Sequence, residues 1–556
     1  MPAFIEQLQP LRRQEEAISA AVIVAGGGPV GLMLARVLGQ LGVRTLLVER
    51  EIHPTRHPKM DITNARSMEL FRRFGQEQAL RDVAVPEANG FDVSWITSLV
   101  GHELHRFCYR SPNEWRAYIR EHDDGSQPQV PPMRVSQVII EPVLRAAAAN
   151  VPLVTARYGV ALEAVAKNAD GVTAVLRNVE TGATEAVRCS YLVGCDGGGS
   201  RVRKCLDIGL DGQHAVMQRY MIHFRSRARG ILQPFGVTWH YQTSWGTLIT
   251  QDDDAIWTLQ MRLDPGEPPE AIDPHERLRR FAGRPFDYEI LVANAWTPHL
   301  VVARSYGMGR VFLAGDAAHQ YIPTGGYGMN TGIADAVDLG WKLAARIHGF
   351  GGPALLASYD AERRPVGLRN REASGRHTQV RMAIAEVYRE VLGETGACNP
   401  GLRAEAGRRI AALGNAEKSW GVEFGYAYKD SPIIFPEPGA TYSDDPLAYK
   451  PTTAPGVRLP STHGRDGTAL YDRLGPWFTL LSFVNPPDRA WSNAAARRSI
   501  PLDIVAIDDA RLARIYAADL VLVRPDQHIA WRGGADTSKN PPDAVLARVT
   551  GWGTVT

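Results

Sequence analysis

The chain has 556 residues, 44% hydrophobic and 22% charged, with 62 Lys and Arg against 60 Asp and Glu. This is the composition of a globular protein, and the length predicts two or three domains rather than one core. A formal net charge of +2 gives no indication of a nucleic-acid partner. No apolar run approaches the ~20 residues of a membrane span, so we predict none. Residues 1–20 lack an apolar signal-peptide core.

The cysteines do not form a C-x-x-C pair, and their odd number argues against a disulfide framework. The five are Cys108, Cys189, Cys195, Cys205 and Cys398. We therefore predict a cytoplasmic location, where thiols stay reduced. We predict no metal site.

The first informative stretch begins with residues 21–25, an apolar run ended by glycine and typical of a buried parallel strand. Gly26, Gly28 and Gly31 follow as G-x-G-x-x-G, which suits a tight turn, a close approach to a pyrophosphate and tight helix packing. A second predicted strand ends at Glu49, where a carboxylate can bind both ribose hydroxyls of an adenosine. This order favours a dinucleotide site over an ordinary strand-to-helix turn.

The next 140 residues give weaker patterns. A helix is predicted up to Phe74, capped by Thr63 or Asn64. Residues 85–133 indicate loops and edge strands that could form a lid. An amphipathic helix is predicted over 134–149, where Pro142 indicates a kink or a later start. Alternating residues over 158–187 predict a small antiparallel hairpin or meander.

The second informative stretch is YLVGCDGGGSRVR, residues 191–203. A strand leads into Asp196 and three glycines, whose backbone N–H groups could face one ligand. Ser200 can cap the helix that follows. By itself this stretch fits a ligand loop and an ordinary glycine-rich connection equally well.

Residues 206–300 are the richest in β-branched and aromatic residues, and they predict a mostly antiparallel sheet that covers a substrate. The third informative stretch follows at 310–343. A buried strand leads into Gly315-Asp316, then into a Pro/Gly-rich loop and a helix beginning near Met329. Asp316 could bind a polyol hydroxyl, and the helix N-terminus could stabilise negative charge on a bound ring. An ordinary loop with a capping acid would be about as consistent.

In this order and spacing, the three stretches resemble the class A, single-component FAD-dependent aromatic hydroxylases, the family of phenol hydroxylase and 2,4-dichlorophenol 6-monooxygenase. The resemblance covers roughly residues 21–376 and includes SYDAERRPV at 358–366. The matching motifs are G-x-G-x-x-G at 26–31, Asp196-Gly197 with Ser200 and Arg203, and Gly315-Asp316 continuing as D-A-A-H and G-M-N-T-G-I-x-D-A. Ile322-Pro323 departs from the two prolines of many members.

The resemblance implies an α/β fold. It consists of a Rossmann-like FAD-binding domain with an inserted, mostly antiparallel β-sheet substrate domain, and a thioredoxin-like C-terminal domain. The predicted units are an N-terminal arm (1–20), the FAD-binding domain (21–205, with an inserted segment at about 85–133), the substrate-binding sheet (206–300), the second part of the FAD-binding domain (301–385), a helical piece and linker (386–455) and the thioredoxin-like domain (456–556). No cysteine follows Cys398, so the last unit cannot perform dithiol chemistry. A structural or oligomerising role, in a homodimer, is expected.

The resemblance also assigns residues to bound FAD. Glu49 would bind the adenosine ribose, Asp316 the ribityl and phosphate region, and Asp196-Gly197 would lie near the pyrophosphate. The full predicted set is Gly26, Gly28, Pro29, Gly31, Glu49, Arg50, Lys59, Gln137, Asp196, Gly197, Asp316, Pro323, Gly328, Met329 and Asn330.

The implied activity is hydroxylation of a phenolic aromatic substrate through a C4a-hydroperoxyflavin, using O2 and NADPH or NADH. No second G-x-G-x-x-G follows a strand, so the nicotinamide cofactor is expected to dock transiently. The alternative is a non-oxygenating FAD oxidoreductase of the same fold that acts on an aromatic or polyketide compound.

A phenol, whose pKa is about 10, needs help to ionise at neutral pH. The family resemblance makes Asp61, in x-D-x-x-x-x-R-S-M-E, the first candidate for this help, although a solvent-facing loop acid or a helix cap is nearly as consistent. His240 and Tyr241, on the predicted substrate sheet, are second candidates, and either could equally serve packing.

Overall fold

The computed structural model describes residues 20–393, 396–414, 419–484 and 489–553. Apart from Ala20, the predicted N-terminal arm lies outside these residues. Within these ranges, no helix combines the length and the apolar character needed to cross a bilayer.

The described residues include an eight-stranded sheet with a parallel centre. Its strands, from one edge to the other, are Gly307–Met308, Val311–Leu313, Thr184–Gly194, Ala20–Ala25, Thr45–Glu49 and Val154–Tyr158, with Val160–Lys167 and Val172–Asn178 attached as an antiparallel meander. The central strands are buried apolar runs, as is typical of the middle of a parallel sheet. Since parallel strands end at one edge, the three motifs at Gly26, Asp196 and Gly315 come together there.

The glycine turn after the first strand is shaped by close contacts. Gly26 has φ +112°, and a Cβ there would lie 2.2 Å from the carbonyl oxygen of Cys195. A Cβ on Gly31 would lie 1.9 Å from the carbonyl oxygen of Gly26. These two positions therefore require glycine so that the helix Pro29–Gln40 can pack against its strand.

A second sheet of seven strands lies beside the first within the described residues. Its order is Glu289–Trp296, Arg219–Arg225, Ile256–Arg262, Gly246–Thr250, His240–Gln242, Val93–Ile96 and Glu103–Phe107. It is antiparallel except where His240–Gln242 runs parallel to Val93–Ile96. The predicted sheet over 206–300 thus gains two strands from the segment 85–133. Of these, Glu103–Phe107 is an edge strand as predicted, whereas Val93–Ile96 is an interior one.

Two smaller sheets complete this part of the chain. One pairs Leu210–Gln213, Leu300–Ala303 and His319–Gln320, and the other pairs Ile62–Thr63 with Met133–Arg134. The described helices before the C-terminal unit are Pro29–Gln40, Ala65–Arg73, Glu77–Arg81, Pro112–Glu121, Gln137–Ala149, Arg201–Cys205, Arg229–Leu232, Pro274–Ala282, Tyr327–Ile347, Pro353–Val387, Pro400–Leu413 and Trp420–Phe424. The helix predicted from 134 starts at Gln137 and contains Pro142. The predicted cap at Asn64 is present, where its side chain accepts from the Ser67 N–H.

The C-terminal unit contains a four-stranded sheet in the order Leu502–Ala506, Phe478–Ser482, Leu520–Val523 and Ile529–Gly533. The first pair is parallel and the other two are antiparallel. Its helices are Arg489–Arg497, Ala510–Tyr516 and Pro542–Val549. Along the chain, a parallel pair of strands joined by a helix is therefore followed by a second helix, a hairpin and a last helix.

Buried charges join this C-terminal unit to the rest of the protein. Arg524 donates to Glu362 at 2.7 Å and to Asp338 at 2.8 Å, with all three side chains fully buried. Lys342 completes the cluster by contacting both carboxylates. A second buried pair joins Arg458 to Glu69.

Candidate active site

A cavity of about 620 Å³ lies between the carboxyl edge of the eight-stranded sheet and the face of the seven-stranded sheet. This volume is within the range of about 300–1,000 Å³ found for small-molecule and cofactor sites. The predicted cofactor residues that line it are Gly28, Pro29, Lys59, Gln137, Gly197, Asp316, Pro323, Gly328 and Met329. The predicted residues absent from its lining are Gly26, Gly31, Glu49, Arg50, Asp196, Asn330 and Tyr241.

Glu49 lies beside the glycine turn. Its Oε2 accepts from the Gly27 N–H at 2.6 Å, and its Oε1 accepts from the Glu51 N–H at 2.9 Å. The next helix begins at Pro29, and a Cβ on Gly28 would meet no protein atom within 4 Å. The turn thus leaves open space at a helix N-terminus, next to a carboxylate at a strand end. Arg50 is exposed and contacts Glu51 instead.

The Asp196-Gly197 motif divides into two roles. The Asp196 carboxylate accepts from the Ser200 hydroxyl at 2.5 Å and from the Arg201 N–H at 2.6 Å. It therefore caps the short helix Arg201–Cys205 instead of pointing into the cavity, which Gly197 lines. Both readings of this stretch apply, because the loop touches the cavity and its acid is a cap.

Arg203, from the same motif, connects two loops. It donates to the carbonyl oxygen of Ala317 at 3.0 Å and to that of Gly198 at 3.0 Å. The second and third motifs are thereby held against each other.

Asp316 points into the cavity from the end of the strand Val311–Leu313. Its side chain is exposed to the cavity, yet the surrounding protein desolvates the carboxyl group and raises its pKa, while His319 and Lys59 oppose the shift. The adjacent Gly315, with φ +61°, donates its N–H to Asp335 at 3.2 Å.

Asp335, the acid of the G-M-N-T-G-I-x-D-A motif, is a supporting residue to which sequence reasoning assigned no role. It accepts from His319 at 2.7 Å and from Arg363 at 2.7 Å, and all three side chains are fully buried. This arrangement assigns His319 a structural position.

The glycine loop after Asp316 ends at the helix Tyr327–Ile347. Gly325 and Gly326 both have positive φ, +89° and +67°. Gly328 and Met329, in the first turn of the helix, line the cavity. Helix amides at this position can stabilise negative charge on a bound group. The Asn330 side chain is used differently, since it donates to the Gly326 carbonyl at 2.6 Å and accepts from the Asn64 N–H at 3.1 Å.

Asp61 lies at the junction of the two large sheets. Its Oδ2 accepts from Trp239 Nε1 at 2.9 Å and lies 3.3 Å from His240 Nε2. Among the described residues, Oδ1 has no protein hydrogen-bond partner, and the side chain remains 20% exposed to the cavity. Burial acts to raise the pKa of Asp61, but His240, Trp239 and Arg134 together hold it below its ordinary value. The carboxylate is therefore ionised at neutral pH.

Local pairing holds the Asp61 backbone in position. Its carbonyl oxygen accepts from the Val135 N–H at 3.0 Å, next to the paired strands Ile62–Thr63 and Met133–Arg134. Asp61 is neither a solvent-facing loop acid nor a helix cap.

Tyr241 does not belong to the site. Successive strand residues face opposite sides of a sheet, so His240 lines the cavity while Tyr241 lies in the core beneath. The Tyr241 hydroxyl donates to the Gly236 carbonyl at 2.6 Å, and burial raises its pKa to about 12. We withdraw it as a candidate.

Sequence reasoning missed most of the cavity wall supplied by the seven-stranded sheet. These residues include Arg219, Met221, Thr247, Ile249, Gln251, Gln260, Asn294 and Trp296. They occur at alternate positions on neighbouring strands. Polar residues within otherwise apolar strands, such as Arg219 in RYMIHFR, were the available signal.

The residues fit FAD on structural grounds. Gly28 and Gly197 each leave space where a side chain would meet no protein atom within 4 Å. An accessible helix N-terminus, a carboxylate at Asp316 and a second helix N-terminus at Gly328 follow along the same cavity wall. This combination suits a diphosphate, a polyol and an electron-accepting ring.

Comparison with known families agrees with this geometry. Residues 19–374 match the family described as "FAD binding domain", and residues 452–552 match "Aromatic-ring hydroxylase, C-terminal". A relative, the FAD-dependent monooxygenase apdD of Emericella nidulans, is 36% identical over 96% of this chain and 90% of its own length.

Solved structures extend the likeness over the whole fold. The structure described as "Chromopyrrolic acid-soaked RebC with bound 7-carboxy-K252c" has a TM-score of 0.86 at 31% identity, covering 97% of this chain and 100% of that one. The flavin-dependent monooxygenase PieE, solved in complex with FAD and substrate, has a TM-score of 0.86 at 28% identity, covering 96% and 99%.

The chain belongs to the family of class A FAD-dependent aromatic hydroxylases. It is an FAD-dependent aromatic monooxygenase, with NAD(P)H and O2 as the co-substrates of its class. The predicted family, activity and cofactor are thus confirmed, together with a mixed α/β fold that contains an FAD-binding unit.

Proposed function

We propose that this enzyme hydroxylates a phenolic ring held between the flavin-binding wall of the cavity and the seven-stranded sheet. The observation that carries the proposal is Asp61. Its carboxylate opens into the same cavity as Asp316 and the helix N-terminus at Gly328, and one of its oxygens is available to a ligand. A phenol hydroxyl is the group that such an oxygen would accept from.

Asp61 and His240 would work as a pair in this proposal. A carboxylate with a lowered pKa is a weak base by itself, but it orients the imidazole and stabilises the imidazolium that forms when a proton is taken up. The substrate hydroxyl would donate to Asp61 Oδ1, and its proton would be held by the pair, since His240 Nε2 lies 3.3 Å from Oδ2, the other oxygen of the same carboxylate. Trp239, which donates to Oδ2, fixes the carboxylate orientation.

For the cofactor, we propose the following contacts. Glu49 binds the adenosine ribose, the helix N-terminus at Pro29 binds the diphosphate, and Asp316 binds the ribityl chain. The first-turn amides at Gly328 and Met329 face the ring, where they would stabilise negative charge. Bound FAD supplies the electron transfer and oxygen chemistry that side chains lack.

The remaining assignments concern the partners and the last domain. The C-terminal unit combines a parallel pair of strands with an antiparallel hairpin. This arrangement supports a thioredoxin-like fold. Transient docking of NADH or NADPH, a homodimer and a cytoplasmic location are retained as proposals, and light scattering of the purified protein tests the dimer. The five cysteines are all free, as a reducing location requires.

The test of the proposed function begins with the absorption spectrum of the purified holoenzyme. NADH and NADPH oxidation are then followed with a panel of mono-, bi- and polycyclic phenols, together with their methyl ethers as controls. We expect phenol-stimulated oxidation, O2 consumption and a product with one added oxygen, with the ethers inactive. Equal turnover of phenols and ethers would contradict the role of Asp61. Flavin reduction without an oxygenated product would favour a non-oxygenating oxidoreductase.

A further inference from the structure

Arg219 lies on the cavity-facing side of the seven-stranded sheet, at the start of the strand Arg219–Arg225. It is paired across the sheet with Trp296, and Met221, two residues further along, faces the same cavity. Arg381, on the long helix Pro353–Val387, also lines the cavity. The wall that the seven-stranded sheet supplies is otherwise formed largely by apolar and amide side chains, and the guanidinium groups of Arg219 and Arg381 add positive charge to the cavity lining.

No carboxylate balances Arg219 within the described part of the chain. Its Nε is buried without a hydrogen-bond partner, and no ion pair forms with its guanidinium among those residues. Burial, together with the charges of Arg381 and Arg262, lowers the pKa of Arg219 to about 10. By contrast, Arg134, a buried arginine whose charge acts on Asp61, pairs with Asp253 at 3.1 Å.

Two amide residues lie on the strands that flank the strand of Arg219. Gln260 accepts from Trp296 Nε1 at 3.2 Å. The Oδ1 of Asn294 is buried without a hydrogen-bond partner, and both amide residues line the cavity. These amides cannot neutralise a guanidinium. A buried unpaired charge is costly, whereas an arginine and a carboxylate form a strong bidentate pair.

The register of the sheet places Arg219 far from His240. Across the paired strands, His240 is in register with His223, which lies on the strand of Arg219 three strand spacings away. Arg219 is four residues from His223 along that strand. These steps amount to about 14 Å across and about 13 Å along the sheet. A ligand that reaches both ends is longer than a single benzene ring.

We propose that the substrate of this enzyme is a multi-ring phenol bearing a carboxylate, which Arg219 binds at the end of the cavity remote from Asp61. This inference rests on the proposed function, because it adds a second anchoring point to the same site. Arg219 is a specificity-determining residue in this arrangement, and Arg381 adds positive charge beside it.

The test uses 4′-hydroxybiphenyl-4-carboxylate and the matching 4-carboxamide as probes. Binding of each to the FAD-loaded holoenzyme is measured by calorimetry, without NAD(P)H, so that turnover plays no part. We expect the carboxylate to bind about tenfold or more tightly than the carboxamide, as for a charge-assisted pair. Arg219→Gln should abolish this preference and leave the carboxamide affinity within about twofold of the wild type.

Two further variants serve as controls for the role of Arg219. Arg225→Gln removes an exposed arginine from the same strand, which pairs with Glu289, and should keep the preference. Arg219→Lys retains a charge and should keep part of it. A wild-type enzyme without carboxylate preference, or a preference that survives Arg219→Gln, overturns the proposal.

Product analysis separates this inference from the proposed function. Carboxylate-selective binding without any hydroxylated product would contradict the proposed function while leaving the anchoring role of Arg219 intact. Hydroxylation of both probes with equal kcat/KM would leave the proposed function intact and overturn the carboxylate inference.

Discussion

At the scale of single residues, the chemistry depends on how each carboxylate is held. Asp61 has one oxygen engaged by Trp239 and His240 and the other open to the cavity. The Asp196 carboxylate has both oxygens engaged by Ser200 and backbone N–H groups. The first can therefore act on a ligand, and the second holds a loop.

Asp61→Asn should reduce hydroxylation of a phenol about 100-fold at neutral pH, because it removes the acceptor for the hydroxyl proton. The deficit should shrink as the pH approaches the phenol pKa of about 10, where the substrate ionises unaided. The wild-type profile should show no loss from Asp61 protonation above about pH 4, since the pKa of that carboxyl group is lowered. The measurement is kcat/KM against pH. Asp254→Asn, an exposed loop change, is the control, and an identical profile for Asp61→Asn would remove Asp61 as the acceptor.

Asp316→Ala should yield protein that is purified largely without flavin, because the proposed contact with the ribityl chain is lost. The flavin-to-protein absorbance ratio measures this directly. Asp360→Ala, which alters an acid that accepts from the Tyr306 N–H outside the cavity lining, serves as the control. Full flavin retention in Asp316→Ala would contradict the assigned contact.

Site residues that belong to a motif were predictable from the sequence, whereas those whose place in the site depends on the geometry of a sheet were not. The motifs predicted Asp316 and the glycines, and family resemblance predicted Asp61. Choosing between His240 and Tyr241 required the strand register, which a sequence with several aromatic residues in each strand does not reveal. Arg219 was missed because a polar residue in a strand indicates only that its face is not an apolar core, and does not show that this face borders a cavity.

At the scale of elements, the strand–turn–helix unit around Gly26 has two kinds of glycine. Gly31 is enclosed, since a Cβ there would lie 1.9 Å from a backbone oxygen, whereas Gly28 faces open space. One is required by the fold and the other, we propose, by the cofactor.

Gly31→Ala should therefore lower both the free energy of unfolding, by about 1–3 kcal/mol, and flavin content. Gly28→Ala should leave the melting temperature of the apoprotein unchanged but weaken FAD binding, since the methyl group would occupy the space assigned to the diphosphate. Thermal unfolding of the apoproteins and FAD titration separate the two effects. Normal FAD affinity in Gly28→Ala would place the diphosphate elsewhere.

Strands and helices were predictable from the sequence where their residue patterns lie within one contiguous stretch of the chain. The parallel strands and the helix after Gly315 follow from contiguous apolar runs. The interior strand Val93–Ile96 pairs with His240–Gln242, about 145 residues further along the chain, and its sequence gives no sign of that partner. Long-range pairing of this kind depends on the surrounding tertiary structure.

At the scale of the whole molecule, the C-terminal unit is joined to the FAD-binding part by buried charge. Arg524 contacts Glu362 and Asp338 with every group fully buried. Burial acts to raise the pKa of Glu362, but Arg524 and Lys342 lower it overall. Removal of any one partner would leave an uncompensated charge in the interior.

Arg524→Met should destabilise the protein by about 3 kcal/mol or more, the usual consequence of breaking a buried ion pair. It should also lower flavin retention on heating, because Asp338 lies on the helix Tyr327–Ile347 that begins at the cavity. The matched control is Arg473→Met, which breaks a partly exposed pair with Asp466 and should change stability little. Chemical denaturation followed by flavin release and far-UV circular dichroism tests both variants. Equal stability of the two would show that the C-terminal unit is only loosely attached.

The helix Pro353–Val387 contacts the C-terminal unit, the eight-stranded sheet and the seven-stranded sheet. Its first turn bonds to Thr550 and Gly551 of the C-terminal unit, Tyr359 donates to Leu313 of the eight-stranded sheet, and Ile384 packs beside Trp95 of the seven-stranded sheet. At about 1.5 Å per residue, its 35 residues form a helix about 52 Å long. Because one helix contacts both sheets, we expect the sheets to move little relative to each other. Substrate would then enter by displacement of short loops at the cavity mouth.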